Sequence, residues 1–106
     1  MPGCVQVSTT LPDENTAHRL GRSLVEERLA ACAQVVGPVL STYWWRGAVE
    51  ESREWYCYLK TTTASFPALS HRLQELHPYE VPEIVAVPIV EGSFEYLRWI
   101  EETLAV

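Results

Sequence analysis

Basic side chains are few in this sequence, and they are scattered along the chain. Eight residues are lysine or arginine against fourteen aspartate or glutamate, which gives a formal net charge of −6, and Lys60 is the one lysine. Such a surface repels the phosphate backbone of nucleic acids, whose binding depends on clustered cationic side chains. The composition therefore argues against a nucleic-acid-binding protein and permits the attraction of cations.

Long apolar runs are absent as well. Apolar residues make up 47% of the chain, but no run reaches eighteen, so the sequence predicts neither a membrane span nor a secretory signal. The three cysteines, Cys4, Cys32 and Cys57, cannot all pair within one chain, and none belongs to a Cys-x-x-Cys motif. This usage indicates neither a disulfide framework nor a zinc knuckle. We expect a soluble, cytoplasmic protein with reduced thiols.

Known catalytic motifs are missing too. The chain has no glycine-rich phosphate loop, no Gly-x-Ser-x-Gly and no His-Glu-x-x-His. His18 and His71 fall on polar faces of predicted helices, where solvated side chains are expected. Cys32 and His77 form the one candidate pair of nucleophile and base, and nothing in the sequence shows that they meet. The sequence therefore favours a protein that is not an enzyme.

The first half of the chain alternates between strand-like and helix-like patterns. Residues 5–8 alternate apolar with polar, and the 9–12 segment breaks this pattern, which predicts a short first strand. Asp13 is a suitable N-cap for a helix. The apolar positions of this helix recur three and four residues apart, as expected for a buried face: Ala17, Leu20, Gly21, Leu24, Val25 and Leu29.

A long aromatic hairpin is predicted next. From Cys32 the period is two, with a bulge or bend at Gly37-Pro38, and the 46–48 segment reads as a tight reversal. The returning strand, 49–62, places Trp55, Cys57 and Leu59 on one face and Glu54, Tyr56, Tyr58 and Lys60 on the other. Six of the eleven aromatic residues lie between Tyr43 and Tyr58, more than one face of a small sheet needs. Some are expected to pack against another subunit, although the alternative that all six cover the protomer's own core and rim stays open.

The second half completes a recognisable order of elements. Ser65 can cap a helix that ends at His77-Pro78, residues 84–90 read as a buried strand with Pro88 at a sheet edge, and a last helix follows Gly92-Ser93. The order βαββαβ plus a C-terminal helix predicts an α+β fold of the ferredoxin-like, split-βαβ type, with a four-stranded, mainly antiparallel sheet. We expect one domain over residues 1–106.

The segment from His77 to Ile84 carries an imidazole, a phenol and two carboxylates between two prolines. Each proline fixes its own φ and keeps the preceding residue extended, so the polar groups stand on a stiff loop. Such a loop is either a binding edge or a rigid connection.

Five segments together resemble the CutA family of divalent-cation tolerance proteins, in order and spacing. They are residues 27–32, 43–47, 59–62, 77–84 and 96–100, and the resemblance covers residues 4 to 104. It implies a ferredoxin-like protomer in a tight homotrimer, with hairpins that contribute strands to neighbouring subunits, and a role in tolerance of copper and other divalent metals. No enzymatic activity is established for the family.

The resemblance also implies where a metal would bind. Some relatives carry a cysteine near the end of the first strand and a doubled histidine before Pro-Tyr, where this chain has Thr9 and Leu76, so of these ligands only His77 remains. A divalent cation such as copper is then expected at His77 with Glu80, Glu83 or groups from the next subunit.

An alternative is a regulatory trimer of the PII-like kind that binds a small anionic metabolite between subunits. Its candidate pocket residues are Cys32, Trp45, Lys60 and Tyr79, because a cation and flat aromatic faces suit a carboxylate or a nucleotide ring.

Overall fold

The computed structural model describes residues 3–105. Four strands and three helices occur within that range: β1 (Cys4–Leu11), α1 (Glu14–Glu26), β2 (Cys32–Trp45), β3 (Ala48–Thr62), α2 (Phe66–Leu76), β4 (Val85–Pro88) and α3 (Phe94–Leu104). None of the helices in this range is long and apolar enough to cross a membrane.

The four strands form one antiparallel sheet in the order β2-β3-β1-β4. Side chains of α1 and α2 pack on one face of it, against alternate residues of β1 and β3. The buried residues of this core are Val5, Val7, Leu11, Ala17, Leu20, Leu24, Ala30, Cys57, Leu59, Leu69 and Leu73. α3 packs by Ile100 in a second, smaller cluster with Cys4 and Ala31. The ferredoxin-like prediction is confirmed, and the sheet face away from α1 and α2 is called the open face below.

Several element boundaries follow the local signals in the sequence, although Ser65, expected to cap α2, makes no side-chain cap hydrogen bond. The Asp13 carboxylate accepts the backbone N–H of Thr16 at 2.7 Å and caps α1. The pairing of β2 with β3 shifts register between Val36 and Val39, so the bulge at Gly37-Pro38 is confirmed. Arg46 and Gly47 form the two-residue hairpin turn with φ of 52° and 83°, the left-handed conformation that such turns require.

Two strand predictions were wrong. β1 does not stop at the 9–12 segment but continues to Leu11, because Thr9 and Leu11 still pair with Cys57 and Trp55 of β3. The 84–90 strand is shorter than predicted and is largely exposed. It forms the edge of the sheet, and its open-face side chains Val85 and Val87 are about half exposed. In this protomer, the continuous β-branched run therefore forms an exposed edge strand and not a buried one.

The β2-β3 hairpin extends beyond the rest of the sheet. β1 ends opposite Trp55, so residues 39–54 form a two-stranded arm that no third strand joins in the described part of the chain. The radius of gyration is 14.3 Å, against about 13 Å for a compact domain of this length. The accessible surface is 6760 Å², against roughly 6,000 Å² for a monomer of this mass. The arm therefore adds surface that a single protomer does not bury.

Candidate functional site: a cleft beside the hairpin arm

The His77–Ile84 segment lies next to the arm. His77 ends α2 in an extended conformation, with φ −77° and ψ 135°, as expected for a residue before proline. The segment runs from the helix-covered face of the sheet to the open face. There Tyr79 is hydrogen bonded to Glu54 of β3, and Glu83 is hydrogen bonded to Ser8 of β1. The stiff loop predicted from the two prolines thus passes onto the open face of the sheet.

His77 is buried, and both of its ring nitrogens are hydrogen bonded. Nδ1 accepts the backbone N–H of Tyr79 at 3.1 Å, so the proton of the neutral ring is on Nε2. Nε2 lies 3.0 Å from both Thr9 Oγ1 and the Thr10 carbonyl oxygen, and it donates its hydrogen to the Thr10 carbonyl. Burial lowers the pKa of His77, against the hydrogen bond to Thr10 and the charge of Glu54, which raise it. The ring is therefore a neutral connector between the segment and the end of β1.

Glu54 is a buried carboxylate with a single hydrogen-bond donor among the described residues. The Tyr79 hydroxyl donates to its Oε2 at 2.7 Å. Burial, and then the hydrogen bond to Glu54, raise the pKa of Tyr79, so the phenol keeps its proton at any physiological pH. Only 7% of Glu54 is exposed, and it forms no ion pair within residues 3–105.

Two further carboxylates of the segment are exposed or half buried. Glu80 Oε2 accepts from Arg46 at the tip of the arm at 2.9 Å, and Glu83 Oε2 accepts from the Ser8 hydroxyl at 3.0 Å. The charge of Glu83 is the main reason that the pKa of Tyr56 is raised, with burial second. The field around the Tyr56 hydroxyl is therefore negative.

Between the arm and the segment lies an open cleft of about 940 Å³. The described residues that line it are aromatic, aliphatic or acidic, and none is basic: Thr10, Val39, Leu40, Ser41, Thr42, Tyr43, Trp44, Trp45, Glu54, Tyr56, Pro78, Tyr79, Glu80, Val81, Pro82 and Glu83. Such a mixture of flat apolar faces and carboxylates suits a positively charged ligand.

The structure brings together only some of the residues predicted for a site. Trp45, Tyr79, Glu80 and Glu83 share the cleft, whereas His77 lies behind it. Cys32 and Lys60 pair with each other at the opposite end of the hairpin, thirteen residues of β2 away from Trp45, or roughly 40 Å along the strand. Within one protomer, Lys60 therefore does not converge with Trp45 and Tyr79.

Cys32 and Lys60 each contact groups other than His77. Cys32 Sγ lies 3.7 Å from the Tyr96 hydroxyl, on the side of the sheet where α3 packs. The Nζ of Lys60 donates to Gln34 Oε1 at 3.0 Å.

Sequence reasoning missed Glu54 and Tyr56 as site residues, although it placed both on the same face of β3. The signal was an acidic residue at an alternating position inside an aromatic strand. The place of Glu54 in the site is evident only from the structure, in which Glu54 is aligned with Val39 of β2 and is hydrogen bonded to Tyr79.

A metal site is not complete in one protomer. Within residues 3–105, no group of three or more histidine, cysteine, aspartate or glutamate side chains is arranged to hold a metal ion. Glu80 and Glu83 bond to Arg46 and Ser8, and the Nδ1 lone pair of His77 already accepts a hydrogen bond. The described residues of one protomer therefore do not by themselves form a site for a divalent cation.

Comparison with known proteins identifies the family. The sequence model of the CutA1 divalent ion tolerance protein family matches residues 5–103. The divalent-cation tolerance protein CutA of Thermus thermophilus is 51% identical over 96 residues, 91% of this chain and 93% of that protein. Protein CutA of Homo sapiens is 39% identical over 96% of this chain, which spans 58% of the length of the human protein.

Solved structures agree with the sequence comparison. The crystal structure of CutA1 from the psychrotrophic bacterium Shewanella sp. SIB1 superposes with a TM-score of 0.94 at 38% identity, over 99% of this chain and 98% of that one. The names in the family give no enzymatic function. By its sequence and its fold, this chain belongs to the CutA1 divalent ion tolerance family.

Proposed function

We propose that this chain acts in the tolerance of divalent cations, copper among them, as a cytosolic homotrimer that binds metal where subunits meet. The contact between His77 and Thr9 carries the proposal. Thr9 stands where some relatives have a cysteine, and its Oγ1 lies 3.0 Å from the imidazole. The two positions expected to supply metal ligands in such relatives are thus neighbours in this fold.

Uncovered apolar surface supports assembly into a trimer. On the arm, the face away from Tyr43 and Trp45 exposes Leu40, Trp44 and Val49, with Trp44 at 74%. A second exposed apolar set occurs on β4, α3 and the connection between them: Val85, Val87, Val90, Phe94, Tyr96 and Trp99. Two different patches on one protomer suit a head-to-tail interface, which closes into a ring and covers the sheet edges.

Assembly would also supply what the metal site lacks. One protomer offers His77, Glu80 and Glu83 on a single stiff segment, and copper or zinc needs several nitrogen, sulfur or oxygen ligands together. Participation of His77 requires one ring nitrogen to exchange its hydrogen bond for the metal, either Nε2 on the side of Thr9 and Thr10 or Nδ1 on the side of Tyr79. The remaining ligands would come from the neighbouring subunit.

Two further parts of the proposal concern the compartment and the absence of catalysis. The three cysteines are free thiols, in keeping with a reducing cytosol. Because Cys32 and His77 bond to different partners, the one pair that the sequence suggested for nucleophilic catalysis has no support in the protomer.

The alternative of an anionic metabolite has less support. The cleft beside Trp45 and Tyr79 carries carboxylates, and Lys60 donates to Gln34 at the other end of the hairpin. An anion site would need a neighbouring subunit to bring a basic side chain to the cleft.

Two measurements test the proposal. Light scattering should give about three times 12.0 kDa at micromolar concentration, and a stable monomer would refute the trimer. Calorimetry with copper(II) should show a binding heat for the wild type that is lost in His77→Ala and kept in His71→Ala, whose histidine is exposed on α2. Equal heats in all three proteins would remove His77 from the site.

A further inference from the structure

Arg46 has an unusual backbone conformation at the tip of the arm. Its φ of 52° lies in the left-handed region, which is unfavourable for a residue with a side chain and which glycine, asparagine or aspartate normally supplies in a two-residue hairpin turn. Residues held in such conformations are often found where the rest of the structure gives the side chain a role. The contacts of the Arg46 side chain are therefore informative.

The Arg46 side chain joins the tip of the arm to the 77–84 segment. Its Nη2 donates to Glu80 Oε2 at 2.9 Å, and its guanidinium lies 5.2 Å from the ring centre of Trp45. A guanidinium that stacks on an aromatic ring is already oriented, so less side-chain entropy is lost when it pairs with a carboxylate. The tip of the arm thus carries an oriented cation that is paired with an acidic residue of the segment.

The two partners of this pair differ in how firmly they are held. Pro78 and Pro82 restrict the backbone on both sides of Glu80, and the adjacent Tyr79 is hydrogen bonded to Glu54 at 2.7 Å. The arm is a two-stranded ribbon that no third strand joins among the described residues, and such a ribbon is marginally stable by itself. Glu80 is therefore the fixed partner, and the tip of the arm is the movable one.

The segment contacts the arm at two places that differ in their sensitivity to salt. At the base, Tyr79 donates to Glu54, of which only 7% is exposed. At the tip, the side chains of Arg46 and Glu80 are 71% and 70% exposed. Exposed ion pairs are weak and are screened by dissolved ions, whereas buried contacts are screened much less. Salt should therefore open the contact at the tip and leave the contact at the base closed.

From these observations we propose that Arg46 and Glu80 form a releasable clasp, which holds the tip of the arm against the 77–84 segment at low ionic strength and frees it at high ionic strength. The base of the arm stays attached through Tyr79 and Glu54 in both states. The clasp thereby sets the position in which the arm presents the exposed Trp44. Glu80 is also among the proposed metal ligands, but the clasp does not depend on that proposal and is tested without metal.

Amide hydrogen exchange of the metal-free, full-length protein measures the release of the arm. Samples in about 0.01 M and about 1 M NaCl compare Debye lengths of roughly 30 Å and 3 Å. The test variants are Arg46→Gln, Glu80→Gln and the double variant; glutamine keeps a side chain at position 46, so the cost of the left-handed turn is retained. The control is Glu50→Gln, an exposed residue of β3 with the same change in charge and no ion pair within residues 3–105.

At low salt, amides of residues 39–54 should exchange about two- to fivefold faster in each single variant than in the wild type, the range expected for loss of an exposed ion pair. The double variant should exchange no faster than the single ones, Glu50→Gln should match the wild type, and α1 should be unaffected. High salt should raise the exchange of the wild-type arm to that of the variants. Unchanged exchange in either single variant, additive effects in the double variant, a salt response of the arm that persists without Arg46, or equal acceleration in α1 would each overturn the proposal.

Discussion

Removal of the Tyr79 hydroxyl is expected to destabilise the protein. In Tyr79→Phe, Glu54 loses the one donor that the described residues offer it, at a distance of 2.7 Å. Hydrogen bonds to charged groups contribute about 1.5–3 kcal/mol, and the bond from Tyr79 to the largely buried Glu54 belongs within that range. The free energy of unfolding should fall by about 2 kcal/mol.

Thermal unfolding measures this loss. For a chain of this length, 1 kcal/mol corresponds to roughly 4–8 °C in Tm, so Tyr79→Phe should unfold about 8 °C or more below the wild type. Protomer concentration must be equal in all samples, since assembly makes Tm depend on it. The matched control is Tyr43→Phe, whose hydroxyl contacts Ser52 Oγ at 3.1 Å in an exposed pair and which should shift Tm little.

A double-mutant cycle separates the hydrogen bond from other effects of the ring. Glu54→Gln keeps an acceptor for the phenol but not the charge, so Tyr79→Phe should cost less in that background than in the wild type. A Tm for Tyr79→Phe within 1 °C of the wild type, or the same loss in both backgrounds, would refute the assignment of Tyr79 as the partner of a charged Glu54.

Three further predictions concern pH, the hairpin turn and assembly. Burial lowers the pKa of His77 below its unfolded value near 6.5, despite the opposing hydrogen bond to Thr10 and charge of Glu54. The contribution of neutral His77 to the free energy of unfolding is therefore complete above pH 6.5 and is lost as the pH falls below that value. The wild type should lose more stability than His77→Gln between pH 7 and pH 5, and parallel losses would contradict this. Gly47→Ala should lower the unfolding free energy by about 1 kcal/mol in chemical denaturation, because φ at Gly47 is 83°, and an unchanged midpoint would argue against strain. Trp44→Asp should shift the mass in light scattering towards one protomer, since Trp44 is exposed on the arm, and an unchanged mass would exclude Trp44 from the subunit contact.

Patterns that depend on near neighbours along the chain predicted the fold well. The cap at Asp13, the bulge at Gly37-Pro38 and the end of α2 at His77 follow from hydrogen bonding and backbone restrictions within a few residues. Prediction was poorer where the result depends on strand order. The apolar run from 84 to 90 was expected to be buried, but burial of a strand depends on what covers each face, and β4 lies at the edge.

The candidate site was less predictable for the same reason. His77, Tyr79, Glu80 and Glu83 stand out because two prolines confine them to one short segment. Glu54 lies 25 residues before Tyr79, and only the antiparallel register of β3 and the path of the segment bring them into contact. Lys60 and Trp45, which chemical type alone grouped together, lie at opposite ends of the hairpin.

The arm and the 77–84 segment depend on each other structurally. A two-stranded ribbon is marginally stable by itself in water, and along residues 39–45 the segment is the element that lines the cleft opposite the arm. Its contacts with the arm run from Tyr79 and Glu54 at the base to Glu80 and Arg46 at the tip. The segment therefore supports the arm on one face, and the other face, which exposes Leu40, Trp44 and Val49, is left for the proposed subunit contact.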